Sequence, residues 1–185
     1  IVDRLIANEK NYVFNETRSA VKNIISSRPF FIKPNLTEFQ QLLGKNVQSF
    51  SSVLSAARNL TNKIPLIRVS SVEGGALLVT KNKAWFGTLP KIKVRTTAGA
   101  GDSMVGAISV AMWRKKNQNT KLDVVEEILE KNRADFLRWG LAAACVTLTK
   151  SGVTMGNRNS ILRYYPMIKI KEILVSKRGY NNEKS

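Results

Sequence analysis

The chain has 185 residues with 43% apolar content, which is enough to bury the core of one domain. It carries 30 Lys and Arg against 13 Asp and Glu, a formal net charge of +17, and it contains no His. This composition excludes His-based catalytic triads and His metal ligands within the chain, so a general base must be a carboxylate or a lysine. No apolar run reaches the roughly 18 residues of a membrane span, and residues 1–15 lack the apolar core of a signal peptide.

The first half of the chain is predicted to alternate helices and strands. Apolar residues at helical spacing predict helices, and short apolar runs bounded by Pro or Gly predict strands. The predicted elements are a helix over Thr17–Ser26, a strand over Phe30–Ile32, a helix over Thr37–Leu43 that ends at Gly44, a helix over Phe50–Leu60 and a strand over Pro65–Ser70.

In the second half, a hairpin precedes a glycine-rich turn and a series of helices. Strands alternating with helices indicate an α/β layered fold with a largely parallel sheet. The predicted elements are hairpin strands over Ala76–Thr80 and Ala84–Thr88, a strand-like segment over Lys91–Val94, and helices near Ser103–Trp113, Val124–Glu130 and Ala134–Thr149.

The positive charge is spread along the whole chain rather than collected in one stripe with interleaved aromatic residues. Solvated faces and a loose basic tail are expected, and nucleic-acid binding is kept only as a lesser alternative. Steering of anionic substrates explains the sign of the charge equally well. The single cysteine, Cys145, excludes an internal disulfide and favours a reducing, cytoplasmic location. Because it lies in the apolar stretch Leu141–Leu148, we expect it to pack as a small hydrophobic residue.

The segment Thr96–Ala107, TTAGAGDSMVGA, says more about function than any other part of the chain. Its small residues Gly99-Ala100-Gly101 come directly before Asp102 at the start of a predicted helix. Such a turn presents backbone N–H groups at the positive end of the helix dipole, which suits an anion. An acid at that point is suited to handle a proton or a metal, so the segment indicates phosphoryl transfer. The alternative is a tight turn in which Asp102 caps the helix.

Two commoner glycine motifs do not fit the chain. A dinucleotide fingerprint needs a third glycine where Met104 stands. A P-loop needs Gly-Lys followed by Ser or Thr, whereas Gly44-Lys45 is followed by Asn46.

Two motifs resemble those of the ribokinase/phosphofructokinase-B family of sugar kinases. Thr96–Ala107 resembles the C-terminal signature of that family, and Ile32–Glu38, IKPNLTE, resembles its IKPNxxE segment. The motifs stand in the family's order and at its spacing, and the later run Arg138–Cys145 also matches. Asp102–Ala107 is closer to the phosphofructokinase branch than to ribokinase. The resemblance covers roughly residues 13 to 165.

The resemblance implies a ribokinase-like layered fold with a mostly parallel sheet. Residues 1–168 are expected to form the C-terminal part of the kinase domain, the nucleotide and catalytic half, and residues 169–185 a basic, flexible tail, with Lys177–Ser185 disordered. Nothing in the chain resembles the family's N-terminal strands, sugar-contacting residues and lid, so these are expected to be absent and the chain alone to be inactive. The complete protein is expected to form a homodimer.

The glycine-rich segment acquires catalytic roles from the resemblance. Asp102 would be the base that takes the proton from the attacking sugar hydroxyl. The backbone of Ala98, Gly99, Ala100 and Gly101 would form the anion hole for the transferring phosphoryl group.

Asn35 and Glu38 are three residues apart at a strand-to-helix junction, so they can face one point. From the residues alone, Asn35 is expected to cap the following helix and Glu38 to lie in its first turn. The resemblance makes them the NxxE pair that organises Mg²⁺ and phosphate through water. Lys33 would then reach the nucleotide phosphates as a point charge.

The segment Ser70–Gly75, SSVEGG, stands where the family has a nucleotide-phosphate loop. Ser70 and Gly75 match that loop, but Val72 replaces its first glycine, so the loop departs from the family pattern. Leu141 and Cys145 match positions that line the adenine pocket, although a helix packed in the core would have the same pattern.

The function predicted from these residues is ATP-dependent phosphoryl transfer to a hydroxyl of a sugar phosphate, fructose 6-phosphate or fructose 1-phosphate. ATP and a phosphorylated sugar are the expected partners, and Mg²⁺ is the expected cofactor. The alternatives are a truncated, inactive kinase remnant or regulatory half and, less favoured, a basic nucleic-acid-binding module.

Overall fold

The computed structural model describes residues 13–14, 29–117, 131–152 and 154–174. The helices predicted over Thr17–Ser26 and Val124–Glu130 lie outside these residues. The chain divides into two compact units. The first contains residues 87–170, and the second contains the described residues up to 86 together with those from 171 onward.

A six-stranded sheet forms the centre of the second unit, which holds four strands completely and most residues of the other two. The strands follow one another in chain order across the sheet. The β1–β2 and β2–β3 pairs are parallel, whereas β3–β4 is antiparallel. The predicted α/β class is therefore confirmed, with a sheet that mixes both directions. The strands are β1 (Val13–Phe14), β2 (Phe31–Ile32), β3 (Leu66–Val72), β4 (Gly75–Val79), β5 (Ala84–Thr88) and β6 (Lys169–Ile173).

Two helices of the second unit, α1 (Leu36–Leu43) and α2 (Phe50–Leu60), pack against the sheet. Local sequence sets their ends: Asn35 and Ser49 cap the two N-termini, and Gly44 ends α1 with a left-handed φ of 63°. Their apolar faces and one face of the sheet form a single core. Among its members are Ile32, Phe39, Val53, Leu54, Ala57, Ile67, Val69, Leu77 and Val79.

The hairpin predicted around Lys81–Lys83 is confirmed. Its strands are β4 and β5, and the Thr80 N–H donates to the Lys83 carbonyl across the turn at 2.9 Å. The strand predicted over Pro65–Ser70 is also confirmed as part of β3.

The flexible tail predicted from residue 169 is wrong for its first five residues, because Lys169–Ile173 form β6. Ile173 packs against the core of the second unit, and the Lys83 ammonium lies 3.2 Å from a Glu172 carboxylate oxygen. The lysines of this segment suggested a solvated tail, although Ile170 and Ile173 stand among charged residues as in an exposed strand. Of the rest of the predicted tail, Leu174 is exposed and residues 175–185 lie outside the described residues, and the domain boundary at residue 168 stays a prediction.

In the described residues, the first unit is helical. Its helices are α3 (Ala100–Asn117), α4 (Arg133–Thr149) and α5 (Arg158–Tyr164), and α4 packs against both of the others. The absence of a side chain at Gly140 allows α3 and α4 to pack closely there, since a Cβ would lie 2.7 Å from Met104 and 2.8 Å from Ile108. No helix in the described part of the chain combines the length and the apolar character that crossing a membrane requires.

The strand-like segment predicted over Lys91–Val94 is not a strand. The backbone N–H groups of the following residues, Arg95 and Thr96, both donate to the Leu148 carbonyl near the end of α4, at 2.7 Å and 3.4 Å. Val94 is 52% exposed, so alternation in this segment does not mark a buried sheet face.

Candidate functional site

The glycine-rich turn directly precedes α3. Gly99 adopts a φ of 75°, which glycine accepts without strain and which turns the chain into the helix. The Ala98 N–H donates to the Thr96 hydroxyl at 3.2 Å, and the Ala100 N–H donates to the Thr97 carbonyl at 3.4 Å. Within the described part of the chain, the N–H groups of Gly99 and Gly101 have no acceptor. Of the four N–H groups predicted to form an anion hole, the two glycine N–H groups are therefore available to a ligand.

Asp102 lies in the first turn of α3, and its residue is exposed. It lines a cavity of about 490 Å³ within the first unit, between α3, α4 and α5. Asp102 therefore directly follows the glycine turn and lines a space that a small molecule can enter. This placement agrees with a proton-accepting role and differs from a helix cap, because the residue before the helix is Gly99.

The same cavity carries Arg114, Lys115 and Arg158 in its lining. Arg114 is twelve residues after Asp102 on α3, a separation of roughly 18 Å along a helix that rises about 1.5 Å per residue. Arg114 and Asp102 therefore line different parts of the cavity along α3.

A buried polar contact fixes the start of α3 immediately behind Asp102. The hydroxyl groups of Ser103 and Thr147 lie 2.6 Å apart and join α3 to α4. Because both residues are buried, this contact holds the first turn of α3 in one position.

Leu141 and Cys145 lie on α4 and are buried, with 2% and 0% exposure. Neither lines the cavity that Asp102 lines. Burial raises the pKa of the Cys145 thiol to about 11, so the thiol stays protonated and unreactive at neutral pH. The packing of Cys145 as a small hydrophobic residue is therefore confirmed, and the adenine-pocket role of the pair stays a prediction.

In the second unit, Asn35 and Glu38 form a reciprocal capping box at the start of α1. The Glu38 N–H donates to the Asn35 side-chain oxygen at 2.9 Å, and the Asn35 N–H donates to Glu38 Oε2 at 2.9 Å. The structural interpretation of this pair is thus confirmed. Among the described residues, Glu38 Oε1 accepts no hydrogen bond.

The Lys33–Glu38 segment is bound to β3. The Ser70 N–H donates to the Pro34 carbonyl at 3.1 Å, and Asn35 forms a parallel β-bridge with Ser70. The guanidinium of Arg68 donates from Nη2 to the Lys33 carbonyl at 3.1 Å. The structure therefore brings the two predicted nucleotide-binding segments, at Lys33–Asn35 and at Ser70, together at the end of β2.

The SSVEGG loop takes an unusual path between β3 and β4. Val72 is fully buried and pairs with Gly75, and the register shifts between Ser70 and Val72. Ser71 and Glu73 have positive φ values of 62° and 44°, which non-glycine residues rarely adopt. Val72, the residue that departs from the family pattern, thus packs in the hydrophobic core. Its two neighbours, Ser71 and Glu73, adopt left-handed backbone conformations.

Mg²⁺ requires hard oxygen ligands and retains several waters. The carboxylate of Glu38, with Oε1 available, and the half-buried Asn35 side chain supply such oxygens, so their chemistry fits a water-mediated site. Across the residues that the structure describes, no three His, Cys, Asp or Glu side chains cluster as a dedicated protein cage would require.

Comparison with known proteins identifies the family. The family model described as "pfkB family carbohydrate kinase" matches residues 4–159. The chain belongs to the pfkB family of carbohydrate kinases. A relative named 1-phosphofructokinase, from Vibrio cholerae serotype O1, is 23% identical over 173 residues, covering 93% of this chain and 50% of that protein. The chain thus spans about half the length of this curated relative.

Two solved structures share the fold. Phosphofructokinase-2 from Escherichia coli, in complex with substrates and products, superposes with a TM-score of 0.68 at 24% identity, over 85% of this chain and 47% of that one. Ribokinase from Thermotoga maritima gives a TM-score of 0.58 at 24% identity, over 78% of this chain and 44% of that one. The predicted ribokinase-like fold and the predicted family are confirmed.

Sequence reasoning missed Arg68. A charged residue inside the apolar run Leu66–Val69 was the available signal, because arginine is rarely buried without a partner. The residue that it contacts, Lys33, is 35 positions away and could not be identified from the pattern.

Proposed function

We propose that the protein to which this chain belongs transfers the γ-phosphoryl group of ATP to a hydroxyl of a sugar phosphate. The observation that carries the proposal is the juxtaposition of Asp102 with the available N–H groups of Gly99 and Gly101 at the start of α3, beside an open cavity. Membership of a carbohydrate kinase family supports the reaction class. The names of the relatives favour fructose 1-phosphate or fructose 6-phosphate as acceptor.

The chemistry assigned to Asp102 is proton removal. As the sugar hydroxyl oxygen forms its bond to the γ-phosphorus, the bond from that phosphorus to the ADP oxygen breaks, and the hydroxyl proton passes to the Asp102 carboxylate. The N–H groups of Gly99 and Gly101 stabilise the negative charge on the transferring phosphoryl oxygens. Both groups are backbone donors fixed by the turn, so they need no rearrangement during the reaction.

The second unit supplies the residues proposed for the nucleotide phosphates. Lys33 contributes a positive charge, and Ser70 and Gly75 contribute the phosphate loop. Bound Mg²⁺ would neutralise phosphate charge, and Asn35 and Glu38 would hold it through water. Leu141 and Cys145 are proposed to contribute to the adenine pocket. The complete protein is expected to act as a cytoplasmic homodimer.

The decisive experiment is a coupled assay of the complete protein with ATP and a panel of hexose phosphates, comparing wild type with Asp102→Asn. Removal of the base is expected to lower kcat by about two to four orders of magnitude with little change in the Kd for ATP. Glu172→Gln, which neutralises an exposed carboxylate paired with Lys83, is the matched control and should retain wild-type turnover. Near-normal kcat in Asp102→Asn would refute the assignment, and a wild-type protein that turns over no sugar phosphate would favour a kinase remnant.

Glu38→Gln tests the proposed metal role separately from the fold. Glutamine at this position can still accept the Asn35 N–H, so the capping box and the stability of α1 are expected to remain. The loss of negative charge is expected to raise the Mg²⁺ concentration needed for half-maximal activity. An unchanged Mg²⁺ dependence in a folded variant would refute the proposed metal role of Glu38.

A further inference from the structure

Arg68 is a charged residue buried in the middle of β3. It is 2% exposed and stands between the core residues Ile67 and Val69. Burial of a guanidinium is unfavourable unless its N–H groups are hydrogen-bonded and its charge is balanced. Only a specific local interaction can therefore explain an arginine where the strand would otherwise be apolar.

The side-chain hydrogen bond of Arg68 and the carboxylate charge that acts on it both involve one segment of the chain. Its Nη2 donates to the Lys33 carbonyl at 3.1 Å, and the negative charge that acts on it is that of Glu38. Its Nε has no hydrogen-bond partner among the residues that the structure describes. Arg68 thus contacts the carbonyl at the Lys33 end of the Lys33–Glu38 segment, and the carboxylate charge at its other end acts on the guanidinium electrostatically.

Backbone contacts join the middle of that segment to β3. The Ser70 N–H holds the Pro34 carbonyl, and Ser70 forms the β-bridge with Asn35. Lys33 precedes these contacts, and its carbonyl is held by the Arg68 side chain. Desolvation lowers the pKa of Arg68 to about 10, so the guanidinium still carries its charge at neutral pH.

We infer that Arg68 is a positioning residue for nucleotide binding: by holding the Lys33 carbonyl and balancing the charge of Glu38, it orients the Lys33–Glu38 segment toward the phosphates. The inference rests on the proposed function, which assigns Lys33, Asn35 and Glu38 to the phosphates and Mg²⁺. Arg68 would not contact the nucleotide itself. It would affect ATP binding indirectly, by fixing the backbone carbonyl of Lys33 and by its electrostatic interaction with the Glu38 carboxylate.

Kinetics of the complete protein with ATP and its sugar phosphate test the inference. Arg68→Met keeps most of the side-chain volume and leaves no buried charge behind, because Glu38 is only half-buried and its carboxylate can be hydrated, so this variant is expected to fold. Loss of a charge-assisted hydrogen bond is expected to raise the KM for ATP about tenfold. The KM for the sugar phosphate should stay at the wild-type value, and kcat should change much less than the KM for ATP.

Two further variants separate positioning from a merely structural role. Arg68→Lys retains the charge and one donor, so it is expected to recover part of the ATP affinity. Arg58→Met removes one positive charge from α2 in the same unit and should leave the KM for ATP unchanged, which controls for net charge. A wild-type KM for ATP in folded Arg68→Met, or an equal rise in both KM values, would overturn the inference while leaving the proposed function intact. Absence of ATP binding by the wild-type protein would instead overturn the proposed function.

Discussion

Ser103 and Thr147 face each other across the α3–α4 interface with their hydroxyl oxygens 2.6 Å apart, and both side chains are buried. Ser103 immediately follows Asp102, so this pair connects the proposed base to the best-packed helix of the first unit. Either hydroxyl can be the donor, and the bond gives each buried hydroxyl oxygen a polar partner.

Removal of one member of this pair is expected to destabilise the protein. Thr147→Val preserves shape but leaves the Ser103 hydroxyl buried without its partner, which costs about 1–3 kcal/mol of the free energy of unfolding. Urea denaturation measures the change. The double variant Ser103→Ala/Thr147→Val removes both polar groups, so its loss should be smaller than the sum of the single losses. Strict additivity would show that the two hydroxyls do not interact.

The glycines of the α3–α4 pair give a matched test of helix packing. Gly140→Ala places a Cβ 2.7 Å from Met104 Cγ, so we expect overpacking to lower the free energy of unfolding by about 1–3 kcal/mol. Gly106→Ala, on α3, meets no atom within 4 Å and should raise stability by about 0.5–1 kcal/mol through helix propensity. Thermal or chemical unfolding of both variants measures the effect, and equal effects would contradict the close approach at Gly140.

Cys145 is expected to resist thiol reagents in the folded protein. It is buried and its pKa is raised to about 11, so little thiolate exists near pH 8 and access is blocked. Labelling with iodoacetamide should proceed at the rate of a free thiol only when denaturant is added. Fast labelling without denaturant would place Cys145 at the surface.

The same pKa shift predicts a direction for stability against pH. Between about pH 9 and about pH 11 the unfolded chain has released the Cys145 proton while the folded chain keeps it, so the folded state binds more protons. The contribution of this group is therefore fully present below pH 9 and is lost as the pH rises through the window. The stability difference between wild type and Cys145→Ala, measured by urea denaturation, should shrink from about pH 8 to about pH 10.5. If the stability difference between wild type and Cys145→Ala stayed constant over this pH range, the pKa of Cys145 would not be raised in the folded protein.

Much of the local structure follows from nearby residues. The α1 cap was expected from Asn35 and Glu38, the stop from Gly44, and the hairpin from the polar turn at Lys81–Lys83. These features depend on contacts within a few positions, which a sequence pattern can represent. The family also followed from the sequence, since two motifs at the right spacing were sufficient.

The errors have a common cause. Lys91–Val94 has an alternating pattern but is not a strand, and Lys169–Ile173 is lysine-rich but forms β6. Whether a segment pairs as a strand depends on a neighbour that is distant in the chain, and short patterns carry no information about that neighbour.

The sequence by itself determined the family, the capping box and the identity of the acid and the glycines in the turn before α3. The tertiary structure alone decided which of the four turn N–H groups remain available, that the Ser103 and Thr147 hydroxyls meet, and that Arg68 holds Lys33. Glycine and capping residues act on the backbone of their own turn, so their structural effect can be predicted from the few residues around them. A buried hydroxyl or guanidinium takes its role from whatever partner the fold brings to it.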